Sequence, residues 1–275
     1  MKKNNRSILL SVPYIVWMLV FTLIPLGVVG YYALTDADTG AFSWDNIREL
    51  GTYLPVFGTS IFYSLISAAI CLLIGYPVAY YIAHRGPFMQ KMLYMLVMLP
   101  MCMSFLLRTL AWVALLQDTG IINNLLESLG IARLKLIRTP SAVILGMVYN
   151  YLPYMILPLY SIIVKIDHRL IEAAEDLGCT PAQTFLKVTL PLSMSGIISG
   201  VTMVFVPAVS TFYISQKMGG ADTVLIGDVI ERMFKQGNNA NLGAALSLLL
   251  MVLVFVCTGI MNRISGSDGE DVVVA

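Results

Sequence analysis

Glu172-Ala173-Ala174, then Gly178, then Val188-Thr189-Leu190-Pro191 make a polar island between strongly apolar segments. The chemistry these residues can do is non-covalent. Glu172, Glu175 and Asp176 offer carboxylates to the arginines of a partner, and Ala173 and Ala174 are small enough for a partner backbone to come close. The same stretch predicts the elements that present them. Leu170, Ile171, Ala174 and Leu177 recur at helical spacing, with Asp167 placed to cap the helix. Gly178 supplies the left-handed residue at which a helix stops. Thr180 and Gln183 read as a capping box, with Pro181 at the first helical position. The expected result is helix, tight turn, helix, ending at Pro191. Those capping signals alone would equally suit a solvated hairpin between two membrane spans.

Other chemistry finds no residues to carry it. The chain has no G-x-x-x-x-G-K-[ST] and no G-x-G-x-x-G, so any ATP chemistry must come from another polypeptide. His84 and His168 are isolated in sequence, and there is no H-E-x-x-H, no G-x-S-x-G and no cysteine pair at ligand spacing. No metal site and no catalytic residue is expected. Cys71, Cys102, Cys179 and Cys257 read as small hydrophobes or free thiols.

Composition sets the class. Hydrophobic residues make up 58% of the 275 residues and charged ones only 12%, with a mean hydropathy of +0.80. No water-facing domain carries that much apolar surface, so this is an all-α, multi-pass membrane protein. A net charge of +1 and no basic stripe argue against nucleic-acid binding. Six stretches reach the ~20 apolar residues that cross a ~30 Å hydrocarbon core: 8–34, 61–83, 92–116, 142–164, 192–215 and 242–261. The first is too long for a signal peptide and lacks a small-residue cleavage site. One transmembrane domain is expected over residues 1–264, with a small, acidic, disordered tail over 265–275. Basic residues set the orientation. Lys2, Lys3, Arg6 and the 84–91 turn are basic, whereas the first outer loop carries Asp36, Asp38, Asp45 and Glu49 against Arg48. Both termini and the 165–191 loop are therefore expected in the cytoplasm of a cell-membrane protein.

On the outer side, 43–50, 121–129 and 225–234 could form short interfacial helices on which a solute receptor docks, or which simply cap the bundle. Pro25, Pro77, Pro100, Pro153, Pro158 and Pro207 each remove a backbone donor and are expected to kink or break their spans. Gly75, Gly146, Gly196, Gly200, Gly243, Ala244 and Ala245 permit close helix contact. Arg108 is the one firm charge well within an expected span. Asp118 or an acid of another subunit would pair with it, or it would face a transport pathway.

Taken together, these features resemble the permeases of ABC importers, whose EAA loop has the spacing seen from Glu172 to Pro191, with Val188 where the family favours isoleucine. The likeness runs through Asn46, Pro100, Arg108-Thr109, Trp112, Leu116, Gly120, Asn123, Pro140 to Gly146, Leu157 to Tyr160, Phe212 to Ser215, Met218 to Gly220 and Gly243 to Ala245. It is similar to the spermidine/putrescine branch, and most to the first of its two permease subunits. That resemblance implies a type I importer fold with six helices and domain-swapped amino-terminal contacts. It also implies a heterodimer with a second related permease, two cytoplasmic ATPase subunits that bind ATP and magnesium, and an extracytoplasmic polyamine-binding protein. ATP binding would drive alternating access through the loop, whose coupling residues would be Glu172, Ala173, Ala174, Gly178, Leu190 and Pro191.

A polyamine route needs aromatic faces for ammonium groups and a few carboxylates, with binding weak enough to release. Tyr213 is the first candidate, with Trp112, Tyr149, Tyr154, Tyr160 and Phe212 in or near spans and Asp222, Asp228 and Glu231 outside. Two alternatives stay open here. A type I permease for thiamine, ferric iron or an anion would share the loop, and a secondary transporter would need no ATPase, although the missing mid-span carboxylate counts against proton coupling.

Overall fold

The computed structural model describes residues 13–14, 16–36, 40–220, 223–235 and 239–269, by backbone alone at 262 and from 264 onward. Lys2, Lys3, Arg6, the expected span start at Ile8, Asp38, Asp222 and residues 270–275 lie outside them. Among the described residues every element is helical, apart from one isolated bridge between Thr35 and Phe42.

In chain order the helices are α1 (Val16–Ala33), α2 (Asp45–Ala83), α3 (Pro87–Met98), α4 (Phe105–Leu116), α5 (Ile121–Ser128), α6 (Pro140–Ile163), α7 (His168–Asp176), α8 (Pro181–Leu192), α9 (Met194–Val209), α10 (Tyr213–Met218), α11 (Ile226–Lys235) and α12 (Ala240–Gly269). Five stretches are long and apolar enough to cross a membrane, namely Val16–Ala33, Asp45–Ala83, Phe105–Ser128, Pro140–Ile163 and Ala240–Met261. The bent pair α8 and α9 makes a sixth, with 64° between its halves.

Three expected boundaries move, one of them in the expected span 192–215, where α9 ends at Val209, residues 210–212 are not helical and α10 starts at Tyr213. The segment 43–50 is no separate interfacial helix: α2 begins at Asp45 and continues unbroken for 39 residues. The expected span 92–116 is broken. After α3 a 3-10 turn covers Leu99–Cys102, Met103 and Ser104 are extended, and α4 starts at Phe105. Pro100 is the physical reason, since it cannot donate to the carbonyl four residues back and its ring crowds that carbonyl. At the other end of the described residues, α12 extends to Gly269.

Proline acts differently elsewhere. Pro77, Pro153 and Pro158 sit inside unbroken helices. Two π-turns, Leu19–Leu23 and Phe185–Thr189, each end two residues before a proline, Pro25 and Pro191. In the second, the Leu190 amide bonds the Phe185 carbonyl, five residues back. Widening the turn by one residue removes the carbonyl that the proline ring would otherwise strike.

Two compact units divide the chain, Met1–Pro55 with Val229–Leu253 and Val56–Asp228 with Val254–Ala275. In the first, Asn46 Nδ2 donates to the carbonyls of Ala33 and Thr35, and Asn241 Nδ2 donates to the Thr35 carbonyl at 2.6 Å. Two asparagines thus satisfy the open end of α1. Ala33, Ala244 and Ala245 are buried against one another there.

The second unit is built around α6. Gly75 lies against Met155, Gly146 against Ile214 and Met218, Gly196 against Ile162, and Gly200 against Met155. A Cβ at Gly200 would stand 2.7 Å from the Met155 sulfur, so α9 packs on α6 as closely as its glycines permit. Small residues serve contacts within the chain at these positions.

Candidate functional site

The 165–191 loop has the expected parts. Asp167 Oδ1 accepts from the Arg169 amide at 3.0 Å and caps α7. At the other end Gly178 adopts φ +85°, the Cys179 amide bonds the Ala174 carbonyl at 3.1 Å and the Gly178 amide bonds the Glu175 carbonyl at 2.9 Å. This paired closure terminates α7 within one residue. The capping box follows: Thr180 Oγ1 accepts from the Gln183 amide and Gln183 Oε1 accepts from the Thr180 amide.

The expected apolar face of α7 divides in two. Ile171 and Ala174 turn inward, whereas Leu170 is 49% exposed and Leu177 is 87% exposed. Leu170, Ala173 and Leu177 follow one another at helical spacing, so the exposed side carries its own apolar stripe. Glu172 stands beside it, 3.7 Å from His168 in a solvated pair that holds it weakly. Leu190 and Pro191 lie in the last turn of α8, at the bend.

The histidines that are isolated in sequence meet in space. Their rings lie 6.3 Å apart, with His84 also 4.1 Å from Tyr80 and its Nδ1 2.9 Å from the Tyr80 carbonyl. They border a cavity of about 320 Å³ between the end of α2 and the start of α7.

The aromatic candidates form separate groups. Trp112 and Tyr149 pack edge to face at 5.4 Å, which joins α4 to α6. Tyr213, at the start of α10, lies 6.2 Å from Phe105 and has the Lys217 ammonium 5.9 Å from its ring centre. Tyr154 lies 6.4 Å from Tyr151, and Phe212 is exposed. Tyr160 pairs with Tyr94 instead, three helical turns along α6 from Tyr149. Asp228 is buried, and its Oδ2 accepts from the Leu225 amide at 3.1 Å at the start of α11. Glu231 is tied to Lys235.

Arg108 is 6% exposed on α4, between Phe105 and Trp112 on the same helical face. Its Nε and Nη1 have no hydrogen-bond partner. Among the described residues no ion pair joins it to Asp118, which is exposed. Burial inside its own chain also leaves little surface for an acid from another subunit.

Residues 72–266 match the family of binding-protein-dependent transport system inner membrane components. The chain belongs to this family. Over 261 residues it is 40% identical to the spermidine/putrescine transport system permease protein PotB of Haemophilus influenzae, with 91% of each chain covered. The protein of the same name in Escherichia coli K12 is 37% identical over 247 residues, covering 86% of this chain and 90% of that one. Among solved structures, a bacterial ABC transporter that imports the acidic polysaccharide alginate aligns with a TM-score of 0.75 at 20% identity, covering 97% of this chain and 98% of that one. The inward-facing MetNI methionine ABC transporter aligns with a TM-score of 0.62 at 18% identity, covering 80% and 98%. The fold is that of the type I ABC-importer permeases, and the protein is a non-catalytic, multi-pass inner-membrane component.

Sequence reasoning about this permease missed Tyr76, Phe185, Ser193 and Lys217. Tyr76 Oη lies 2.7 Å from Ser193 Oγ and its ring meets Phe185 edge to face at 5.5 Å. One signal was available for part of this, since Pro191 leaves the Lys187 carbonyl without its helical donor and so predicts a disturbance just ahead of Ser193. Lys217, four residues after Tyr213, had the spacing to reach its ring.

Proposed function

We propose that this chain is a transmembrane subunit of an ATP-driven importer for polyamines, spermidine and putrescine. The observation that carries the solute is the 40% identity, over 91% of each chain, to a spermidine/putrescine permease. The exposed stripe of Leu170, Ala173 and Leu177 beside Glu172 supports the loop as the seat of an ATPase subunit, with Gly178 setting the angle between α7 and α8, and Leu190 and Pro191 leading into the bend between α8 and α9. In this reading residues 1–264 work as one permease domain, paired with a second, related permease. Two cytoplasmic ATPases bind the ATP and magnesium, and an extracytoplasmic receptor delivers the polyamine.

The pathway is assigned to the outer half of α4, α6 and α10, where Trp112 with Tyr149 and Phe105 with Tyr213 offer ring faces to ammonium groups. Tyr154 and Phe212 flank it, and Tyr160 belongs to its inner end. Arg108, buried between the two pairs, opposes a polycation and keeps binding weak enough for release. Asp228 acts as a helix cap.

The test is uptake of labelled spermidine into proteoliposomes holding the complete importer, with putrescine, thiamine, ferric iron and phosphate as competitors. Competition by putrescine alone is expected, and competition by any of the others at equal concentration would refute the solute assignment. Orientation is tested at Cys179, a free thiol in the loop. A membrane-impermeant thiol reagent should label it in inside-out vesicles, and labelling from intact cells would reverse the topology.

A further inference from the structure

A row along the last two turns of α2, ending at His84 just past the helix, holds both helices of the loop. Tyr76, Tyr80 and His84 follow at intervals of four. His84 faces His168 at the start of α7, and Tyr80 and Tyr76 both meet Phe185 in α8, at 5.8 and 5.5 Å. Tyr76 reaches further, because its hydroxyl lies 2.7 Å from Ser193 Oγ, at the 64° bend between α8 and α9. A single side chain therefore touches both ends of the segment that contains the widened turn, Pro191 and the bend.

The direction of the bond is set by what Ser193 does with its own proton. Its hydroxyl donates to the Leu190 carbonyl at 3.0 Å, so Tyr76 is the donor and Ser193 the acceptor. Ser193 is fully buried and Tyr76 is 8% exposed, so water does not compete for this bond. The segment it holds is mechanically soft. A π-turn and a proline both loosen the backbone ladder, and helices bend at such places. A soft joint transmits motion only if something fixes its angle.

We propose that the Tyr76 hydroxyl is a positioning residue for transport: it fixes the angle between α8 and α9, so that movement imposed on the loop turns α9 instead of being absorbed at Ser193. The inference rests on the loop being the ATPase seat. Without the bond the two halves still pack, the ATPases still dock and ATP is still hydrolysed, but α9 follows poorly.

The experiment uses the complete importer in proteoliposomes and compares Tyr76→Phe, Ser193→Ala, Ser193→Thr and the Tyr76→Phe/Ser193→Ala pair. Copurification of the ATPase, ATP hydrolysis and spermidine uptake are measured on each. Tyr76→Phe should lower uptake about three- to tenfold, the factor that one lost hydrogen bond supplies, with hydrolysis unchanged, so that ATP consumed per spermidine rises by the same factor. Ser193→Ala should match it, the pair should be no worse than either, and Ser193→Thr should keep most of the uptake. Spin labels at Leu186 and Met203, both exposed, report the bend directly, and their distance distribution should broaden in Tyr76→Phe. An unchanged ATP cost, or uptake and hydrolysis falling in parallel, overturns the proposal. Failure of the ATPase to copurify with the unaltered chain would instead overturn the seat itself, which separates the two outcomes.

Discussion

In the proposed reading the 165–191 loop and the aromatic groups are both places where this permease meets something else, yet they are built on opposite principles. The loop is capped locally: within fourteen residues Asp167 caps α7, Gly178 ends it and Thr180 starts α8, each through a bond between near neighbours in sequence. The aromatic groups are assembled from afar, Trp112 meeting Tyr149 and Phe105 meeting Tyr213 across helices. A docking surface for a rigid partner needs a fixed shape, which short-range capping supplies. A route for a flexible cation needs walls that can part, and contacts between separate helices can part without unfolding anything.

If that contrast is right, the loop should fail at a single backbone position. Gly178 holds φ +85°, and a Cβ built there meets nothing within 4 Å, so a side chain is opposed by backbone conformation alone. Gly178→Val places a β-branched residue in the left-handed region, at a cost of about 1–3 kcal/mol, which the turn escapes by opening. Copurification of the ATPase should fall at least tenfold with membrane insertion intact, while Gly178→Asn, which tolerates that region, should keep most of it. Wild-type copurification by Gly178→Val would show that the partner does not read the turn.

The same contrast accounts for what could be read from sequence. Caps, the stop at Gly178 and the apolar spans follow from residue type at short spacing, and these were legible. The break after Pro100 was legible as a disturbance, but whether a proline breaks a helix or sits within it depends on its neighbours, and Pro77 and Pro153 remain in unbroken helices. The split of the α7 face was hidden because Leu170 and Ile171 are both apolar, and only packing decides which turns inward. His84 with His168, and Tyr76 with Ser193, are separated by 84 and 117 residues and depend on the fold itself.

The aromatic groups should respond to ring chemistry instead of backbone geometry. The Tyr213 ring already has an ammonium, that of Lys217, 5.9 Å from its centre. Tyr213→Phe keeps the π-face and should retain much of the spermidine uptake, whereas Tyr213→Leu keeps the bulk without the face. A partly desolvated cation–π contact of ~1–2 kcal/mol corresponds to a loss of about five- to thirtyfold. Equal uptake by the two variants would reduce Tyr213 to packing and move the route toward Trp112, Tyr149 and Tyr154.

The smallest effect is expected at Asp228, where the two principles give opposite answers. As a pathway carboxylate it would pair with a substrate ammonium, and removing its charge would forfeit a charge-assisted contact of about 1.5–3 kcal/mol, or roughly ten- to a hundredfold in uptake. As a cap it needs only an oxygen that accepts from the Leu225 amide, plus a charge near the start of α11. Asp228→Asn keeps the acceptor and gives up the charge, which at a helix N-terminus is worth about 0.3–1 kcal/mol of stability. That cost falls on folding, not on substrate. Asp228→Asn should therefore lower the melting temperature slightly and leave spermidine uptake per folded importer within about twofold, whereas Asp228→Ala, which abandons a buried amide, should lower stability further at the same uptake. A tenfold loss of uptake in Asp228→Asn with stability unchanged would return this carboxylate to the pathway. It would also show that a residue recruited by local capping can serve a route that the other contacts build across helices.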